Sequence, residues 1–333
     1  MRATPGRIRL SATEPAVLRE EEIRALVGPP EALAAMRRAF AALDRGEVIL
    51  PAIIDLAFEE ADGETHVKGG YVKGDETFAV KVASGFYRNS ERGLPTNSGL
   101  FLVLSAATGL PEAILLDNGY LTELRTGAAG ALAADLLSRD RVDTVLIVGA
   151  GSQARYQLEA LLGVRTPERV LVAARRREAG EAYALEMTER HGVEVAVEDD
   201  LEQAVRSADL IVTTTPSRGP LFPADWLSQG SHVTAMGSDF PEKQELDPAC
   251  LAQADLVVAD DPPSAARHGE LHHALAAGAV ALDDVVPLGA IVNGRHPGRT
   301  RADELTVCDL VGIGVQDAAV AAAVRERVAA GSR

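Results

Sequence analysis

A glycine-rich turn after a run of apolar residues is the segment whose residue types indicate chemistry most directly. Residues 145–148 are all apolar, Gly149-x-Gly151-x-x-Ala154 follows, and a helical pattern begins at once. The first glycine permits a tight turn, the second lets phosphates approach the backbone, and the small third residue lets a helix pack close to the strand. The free N–H groups and the dipole of that helix bind phosphate charge. The predicted dinucleotide contacts are Gly149, Gly151, Ser152, Gln153 and Ala154. Alone, the pattern also fits a strand–turn–helix that binds nothing.

Three arginines follow the second strand of the same pattern. Residues 173–177 read AARRR, where an NAD-specific enzyme usually carries Asp or Glu for the ribose hydroxyl. Arginine there would pair with a 2′-phosphate through charge-assisted hydrogen bonds. The sequence therefore favours NADP(H) and leaves NAD(H) open, with Arg175 as the leading contact and Arg176 beside it. The alternative is that these arginines merely begin a solvated helix.

Hydroxyls, a proline and a carboxylate stand at the predicted carboxyl ends of two further strands. Ligands of doubly wound sheets bind beyond such ends. The predicted cofactor contacts there are Thr214, Thr215, Pro216, Met236, Gly237 and Ser238. Asp239 stands where a nicotinamide ring is expected, which makes it a candidate acid/base residue. The alternative is a helix N-cap or a turn residue.

Three cations in the first part of the chain are candidates for binding a substrate anion. Lys81 lies in an apolar strand, where burying a lysine is costly unless it has a partner. Lys68 lies one strand earlier and could support the same pocket. Arg125 lies among small residues at the expected start of a helix, a place that suits a carboxylate. The alternatives are a solvent-facing lysine on an edge strand and an ordinary surface ion pair of Arg125.

The composition excludes several classes of partner and site. A net charge of −16 over 333 residues argues against nucleic acid and anionic membranes. Two cysteines do not make a disulfide framework, and the adjacent His272 and His273 would point in different directions on a helix, so no metal site is expected. The sequence offers no secretory signal and no apolar run of roughly 18 residues, which predicts a cytoplasmic protein.

Two hydrophobic patterns divide the chain and position these residues. After a loose arm of about sixteen residues, helices are predicted at 20–27 and 30–43, and largely antiparallel strands at 65–72, 77–83, 99–104 and 112–116. A helix at 121–137 follows. Strands at 144–148, 169–174, 193–197, 210–214, 232–236 and 256–259 then alternate with helices, which predicts a parallel, doubly wound sheet. A last helix is predicted at 315–330.

Taken together, these motifs resemble the ornithine cyclodeaminase/μ-crystallin family from about residue 18 to residue 329. The segments that carry the resemblance are residues 80–86, 116–129, 148–154, 212–217, 236–246 and 309–317. Residues 115–120 and 269–274 look most like the ectoine-utilisation cyclodeaminase-like branch of that family.

The resemblance implies an α/β fold in which a Rossmann domain is inserted into an α+β substrate and dimerisation domain. The expected bounds are 1–125, completed by 306–333, for the substrate domain and 126–305 for the Rossmann domain. The resemblance assigns Lys81 and Arg125 to the substrate carboxylate and Asp239 to acid/base chemistry, with Lys81 also in the catalytic set. It places Thr96 and Lys243 near the pocket, and it implies a homodimer.

The implied function is NAD(P)-dependent hydride transfer at the α-carbon of an amino acid or cyclic imino acid, either as a net oxidoreductase or as a cyclodeaminase. An NADPH-dependent ketimine reductase and a small-ligand binding protein of the μ-crystallin type are the alternatives. One residue departs from the pattern, because Asp55 stands about where many members carry an arginine for the carboxylate. This exchange indicates a different substrate, such as one whose second group is cationic.

Overall fold

The computed structural model describes residues 14–331, which form two compact units. The first unit contains the chain up to Arg125 together with the chain from Ile313 on, and the second unit runs from Thr126 to Gly312. The predicted loose arm lies outside the described residues as far as residue 13, and Ala16 already begins a strand.

The strands and helices follow the predicted alternation closely. The strands are β1 (Ala16–Arg19), β2 (Val48–Ile49), β3 (Ile54–Phe58), β4 (Gly63–Val72), β5 (Thr77–Phe86), β6 (Asn97–Ser105), β7 (Pro111–Leu116), β8 (Thr144–Val148), β9 (Arg169–Ala173), β10 (Val195–Val197), β11 (Leu210–Thr213), β12 (Arg218–Phe222), β13 (His232–Ala235), β14 (Gln244–Leu246), β15 (Leu256–Ala259), β16 (Val286–Pro287) and β17 (Thr306–Asp309). The helices are α1 (Glu20–Leu26), α2 (Pro29–Asp44), α3 (Tyr120–Leu137), α4 (Ser152–Leu162), α5 (Arg177–His191), α6 (Leu201–Ser207), α7 (Pro248–Ala252), α8 (Pro262–Ala265), α9 (Gly269–Ala276), α10 (Leu288–Val292) and α11 (Gly314–Gly331).

The first unit is built on a mostly antiparallel sheet in the order β1-β7-β6-β5-β4-β2, with β3 also paired to β4. Thr77, Ala79 and Lys81 are buried at alternate positions of β5, because one face of a strand carries every second side chain. Helix α11 lies against β4, where a Cβ on Gly70 would come within 2.6 Å of Gly314 O. This close approach requires glycine at residue 70. The predicted antiparallel strands and the last helix are confirmed.

The second unit contains an entirely parallel sheet in the order β10-β9-β8-β11-β13-β17-β15-β16. The first five strands have the 3-2-1-4-5 order of dinucleotide-binding folds. The second and third strands lie on one side of the first strand, and the fourth and fifth lie on its other side. Its strands are apolar because helices and loops bury them from both sides. The prediction of a mixed α/β fold with a parallel sheet is confirmed.

Four strands of the second unit, β12, β14, β16 and β17, escaped the sequence patterns. β12 and β14 form a small parallel sheet of their own, and β17 lies between β13 and β15 in the large sheet. The predicted return to the first unit at residue 306 would remove β17 from that sheet, whereas the structure divides after Gly312. Within residues 14–331, none of the helices has the length and apolar character needed to cross a membrane.

Candidate functional site

The glycine turn after β8 is fixed by the end of the neighbouring strand β11. Gly149 has φ = +117°, and a Cβ there would lie 2.6 Å from Thr214 Oγ1, so a side chain would be strained and would collide. Gly149 N donates to Ala173 O at 2.8 Å and Thr214 N donates to Val148 O at 2.9 Å. The turn is therefore held between β9 and β11, with the fixed geometry that a phosphate site requires.

The start of α4 in the second unit has the features of an anion site. Its first turn carries no acidic residue, and Gly151 at the N-cap gives the helix no side-chain hydrogen bond within the described chain. A Cβ on Gly151 would meet no atom within 4 Å, which leaves open space beside the backbone. Arg155 Nη1 donates to the carbonyls of Ala150 and Gly151, both at 2.9 Å, and so fixes the turn. These features fit a dinucleotide pyrophosphate.

Two exposed arginines follow the carboxyl end of β9. The guanidinium groups of Arg175 and Arg176 make no ion pair or hydrogen bond with any residue between 14 and 331, whereas Arg177 pairs with both Glu181 and Asp199. Two guanidinium groups are thus left available for an external anion.

The loops after β11 and β13 are joined by a carboxylate that the sequence analysis did not assign. Glu245, on β14, accepts hydrogen bonds from Thr213 Oγ1 at 2.6 Å, from Thr215 N at 2.5 Å and from Gly237 N at 2.8 Å. Ser238 donates through Oγ to Lys243 O at 2.6 Å. The predicted contacts after the two strands are therefore brought together. Leu246 is the one apolar residue in 242–247, so no hydrophobic pattern in the sequence marked Glu245 as buried.

Asp239 lies in the loop after β13, and its side chain is exposed. Its Oδ1 lies 2.7 Å from Lys243 Nζ, and 45% of the Asp239 side chain is exposed, so solvent reaches the carboxylate. The ammonium of Lys243 also lies 5.2 Å from the ring centroid of Phe240. The structure therefore places the predicted acid/base residue beside Lys243, one of the predicted pocket residues.

The two adjacent histidines are engaged in local contacts of α9. His273 Nε2 lies 2.8 Å from Lys243 O, and His272 Nδ1 lies 3.2 Å from Ala266 O. Residues 14–331 contain no group of His, Cys, Asp and Glu side chains that could hold a metal ion.

In the first unit, two predicted substrate cations share one buried carboxylate. Lys81 Nζ lies 2.9 Å from Asp317 Oδ2, and Arg125 Nε lies 3.1 Å from Asp317 Oδ1. Arg125 Nη1 also donates to Gln316 Oε1 at 3.3 Å. Lys81 is 2% exposed and lies on an inner strand, so the alternative of a solvent-facing edge lysine is wrong.

Two further expectations about these cations need correction. Arg125 lies in the second turn of α3 rather than at its start, because the helix already begins at Tyr120. Its ion pair with Asp317 is buried, so it is not an ordinary surface pair. Sequence analysis missed Asp317, although an acidic residue in the mostly apolar α11 was a signal that a buried cation needed a partner.

The charges of this cluster shift the pKa values of its members. Burial lowers the pKa of Lys81 to about 8, and the charges of Arg125 and Lys68 add to this effect, while Asp317 opposes it. Burial alone would raise the pKa of Asp317, but the three cations outweigh it and lower that pKa. Lys81 also acts on the buried carboxyl group of Asp117, so three cations face two carboxyl groups in this region. Gln316 Nε2, also buried, has no hydrogen-bond partner within the described residues.

The remaining predicted residues of the first unit lie at different distances from this cluster. Lys68 is the cross-strand neighbour of Lys81, so both side chains share a face of the sheet. Thr96 precedes β6 at the end where Gly85 pairs with Asn97, and the structure does not bring it to Lys81, which pairs with Phe101.

Asp55 occupies the position at which the family pattern led us to expect an arginine. Its Oδ1 lies 2.5 Å from His66 Nδ1 on the neighbouring strand. Hydrogen bonding to Glu64 and to Asp55 raises the pKa of His66 against the opposing effect of burial. The carboxylate of Asp55 is therefore engaged by a histidine in this structure.

Comparison with known proteins gives consistent matches over nearly the whole chain. A model of the "Ornithine cyclodeaminase/mu-crystallin family" matches residues 13–332. An "uncharacterized cyclodeaminase" of Sinorhizobium fredii is 44% identical over 314 residues, which cover 93% of this chain and 95% of that relative.

Solved structures extend this similarity to the fold. An archaeal alanine dehydrogenase dimer with bound NAD superposes with a TM-score of 0.87 at 34% identity, covering 94% of this chain and 96% of that one. A Δ1-pyrroline-2-carboxylate reductase of Thermococcus litoralis, in complex with NADH and L-proline, superposes with a TM-score of 0.88 at 27% identity, covering 94% and 97%.

Proposed function

Because the chain belongs to the ornithine cyclodeaminase/mu-crystallin family, we propose that it is an NAD(P)-dependent enzyme acting between an α-amino acid and its imino acid. Proteins similar to it bear the names of a dehydrogenase, a reductase and a cyclodeaminase. The observation that carries the proposal is the excess of positive charge around Asp317, beside which a substrate carboxylate would complete the pairing. Its assignment to the ectoine-utilisation branch stays a prediction.

The second unit holds the cofactor in this proposal. The turn from Gly149 to Gly151 and the first turn of α4 bind the pyrophosphate, and the loops after β11 and β13 receive the nicotinamide end. When bound, the nicotinamide ring supplies a hydride acceptor or donor at the substrate α-carbon. Arg175 and Arg176 bind a 2′-phosphate, which favours NADP(H) over the NAD(H) bound by the two solved relatives.

The first unit holds the substrate carboxylate. Lys81 and Arg125 attract it, and Asp317 fixes their orientation so that the α-carbon takes one position. The unpartnered amide nitrogen of Gln316 adds a donor for a carboxylate oxygen. With a pKa of about 8, Lys81 is also able to give up a proton near neutral pH.

Asp239 moves the proton that accompanies hydride transfer. Its exposed carboxylate takes a proton from the substrate nitrogen, or from an attacking water, and returns it in the reverse direction. Lys243 holds this carboxylate in place through the 2.7 Å ion pair.

Measuring ammonia release and cofactor turnover on one panel of substrates tests this proposal. L-amino acids and cyclic imino acids would be offered with NADP(H) and with NAD(H), while ammonia release and net change in reduced cofactor are followed together. A cyclodeaminase releases ammonia without net cofactor change, and a dehydrogenase or reductase turns over cofactor. Tight binding of a small ligand with no turnover on the whole panel would instead indicate a carrier.

A homodimer is the proposed assembly. The segment from β2 to β3 exposes several large apolar side chains, namely Ile49, Leu50, Ile53, Ile54, Leu56 and Phe58. Apolar side chains gathered along one segment favour a protein interface over solvent, and the similar archaeal dehydrogenase is a dimer. Sedimentation equilibrium of the wild type and of Leu56→Glu tests this, and the variant is expected to shift towards monomer.

A further inference from the structure

The loops that follow β11 and β13 share one buried anchor. Glu245 Oε2 accepts from Gly237 N and from Thr213 Oγ1, while Glu245 Oε1 accepts from Thr215 N. All three partners donate, so the carboxylate must act as an acceptor on both oxygens. One side chain therefore fixes the backbone of both loops.

Burial makes this anchor difficult to replace. Glu245 is 0% exposed, so water does not compete for its three hydrogen bonds. A donor left without its acceptor in such surroundings loses both protein and solvent partners. Each loop therefore depends on Glu245 for the satisfaction of a partly buried N–H group.

The two loops also touch each other where the anchor sits. A Cβ on Gly237 would come within 2.2 Å of Thr215 O and 2.6 Å of Glu245 Cδ. The loops are thus packed as closely as glycine allows, and a shift of either one would move the other.

A second carboxylate, that of Glu270, binds the backbone of Glu245 itself. Glu270 accepts from Glu245 N at 2.8 Å and from Leu246 N at 2.9 Å. The backbone of β14 is therefore fixed, and the position of the Glu245 side chain with it.

The strand order assigns the anchored loops to one end of the dinucleotide. β8, β9 and β10 form the half of the sheet that takes the adenosine side, and β11 and β13 lie beyond the reversal in strand order, on the nicotinamide side. On the basis of the proposed function, we propose that Glu245 is a positioning residue that sets the nicotinamide end of the cofactor site through the loops after β11 and β13.

The test compares Glu245→Gln with Glu304→Gln. Glu304 is a matched control because it is also buried in the second unit and ties a loop by accepting from Thr300 N, Thr300 Oγ1 and Arg301 N, but before β17. In Glu245→Gln, the new amide group opposes at least one N–H donor, so one loop must move.

The readout separates the two ends of the cofactor. Nicotinamide fluorescence reports binding of reduced NADP and NAD, and calorimetry reports binding of ADP-ribose with and without a 2′-phosphate. We expect Glu245→Gln to weaken dinucleotide binding about tenfold and to leave ADP-ribose binding within about twofold. Glu304→Gln should leave both affinities unchanged while lowering Tm.

The remaining outcomes distinguish failure of the role of Glu245 from failure of the proposed function. Equal loss of dinucleotide and ADP-ribose binding, or no loss of either, would overturn the role of Glu245. A wild-type protein that binds neither ligand would overturn the proposed function itself. If Glu245→Gln does not fold, Thr213→Val removes one of the three hydrogen bonds, and the same selective loss at smaller magnitude is expected.

Discussion

The two units bury their charged side chains in opposite ways. In the first unit, Lys81 and Arg125 pair with Asp317, so opposite charges offset the cost of burial. In the second unit, Glu245 and Glu270 are held mainly by backbone N–H groups. Asp260 and Asp309 are buried in the same manner, accepting from Gly312 N and Leu271 N, respectively.

The type of partner, an opposite charge or a backbone N–H group, determines what each cluster is suited to do. Ion pairing with more cations than anions leaves positive charge for a ligand, which suits substrate binding in the first unit. Carboxylates that accept backbone N–H groups fix loops, and burial raises their pKa values, so the second unit gains fixed loop geometry instead of a free positive charge.

The largest expected effect comes from removing the anion of the first unit. Asp317→Ala would leave Lys81 and Arg125 buried without their partner, which costs about 3–5 kcal/mol of unfolding free energy. Urea unfolding measures this loss. Glu202→Ala, which breaks the exposed Arg206–Glu202 pair, is the control and should cost less than about 0.5 kcal/mol. Equal costs for the two variants would show that the first cluster is not held by charge pairing.

Catalysis should depend on a carboxylate that belongs to neither buried cluster. Asp239→Asn is expected to lower kcat about 100-fold, because the amide cannot move the proton. The neighbouring Glu242→Gln, another exposed residue, is the control and should keep full activity. Intact turnover in Asp239→Asn would transfer the acid/base role elsewhere, with Lys81 as the next candidate.

The clusters should give the stability curve opposite slopes with pH. Burial raises the pKa of Glu270 to about 7 from 4.5, so between these values the folded protein holds more protons than the unfolded chain. Stability therefore falls as pH rises through this window, by about 1–3 kcal/mol. Lys81, with its pKa lowered to about 8 from 10.5, makes stability rise again above pH 8, because there the unfolded chain holds more protons.

Two variants assign these slopes to their clusters. Glu270→Gln should flatten the acid side of the curve, and Lys81→Met the alkaline side, in urea unfolding measured across pH. A curve whose acid slope is unchanged in Glu270→Gln would contradict the assignment to the second unit.

The smallest expected effect concerns the cofactor phosphate. Arg175→Ala should weaken NADPH binding about tenfold and leave NADH binding unchanged, because only the 2′-phosphate needs the guanidinium. Arg177→Ala is the matched control, since Arg177 is already paired with Glu181 and Asp199. Similar losses for both dinucleotides would indicate a general electrostatic contribution.

Local patterns predicted much of the fold and the cofactor loop. The turn at Gly149, the helix α11 and six strands of the large parallel sheet follow from hydrophobic periodicity and glycine chemistry within short windows; these strands are β8, β9, β10, β11, β13 and β15. β17 was missed because it is four residues long, with a polar residue at each end, and no helix pattern precedes it directly.

The interactions that build the site could not be predicted in the same way. Asp317 lies 192 residues after Arg125 in the chain and still farther from Lys81, so no local window contains these partners. Glu245 acts on backbone N–H groups, which every residue carries, so nothing in the sequence marks its targets. The sequence indicated that Lys81 needs a partner when it is buried, and the partner in the structure is Asp317, a carboxylate of the chain itself.

The most direct test of the account asks whether the buried cations of the first unit recognise a carboxylate. Each amino acid of the panel and its carboxamide would be mixed with the enzyme and oxidised NADP, and formation of reduced nicotinamide in the first turnover would be followed by absorbance. The account predicts reduction with at least one amino acid and none with its carboxamide. Equal reduction with both compounds would contradict it.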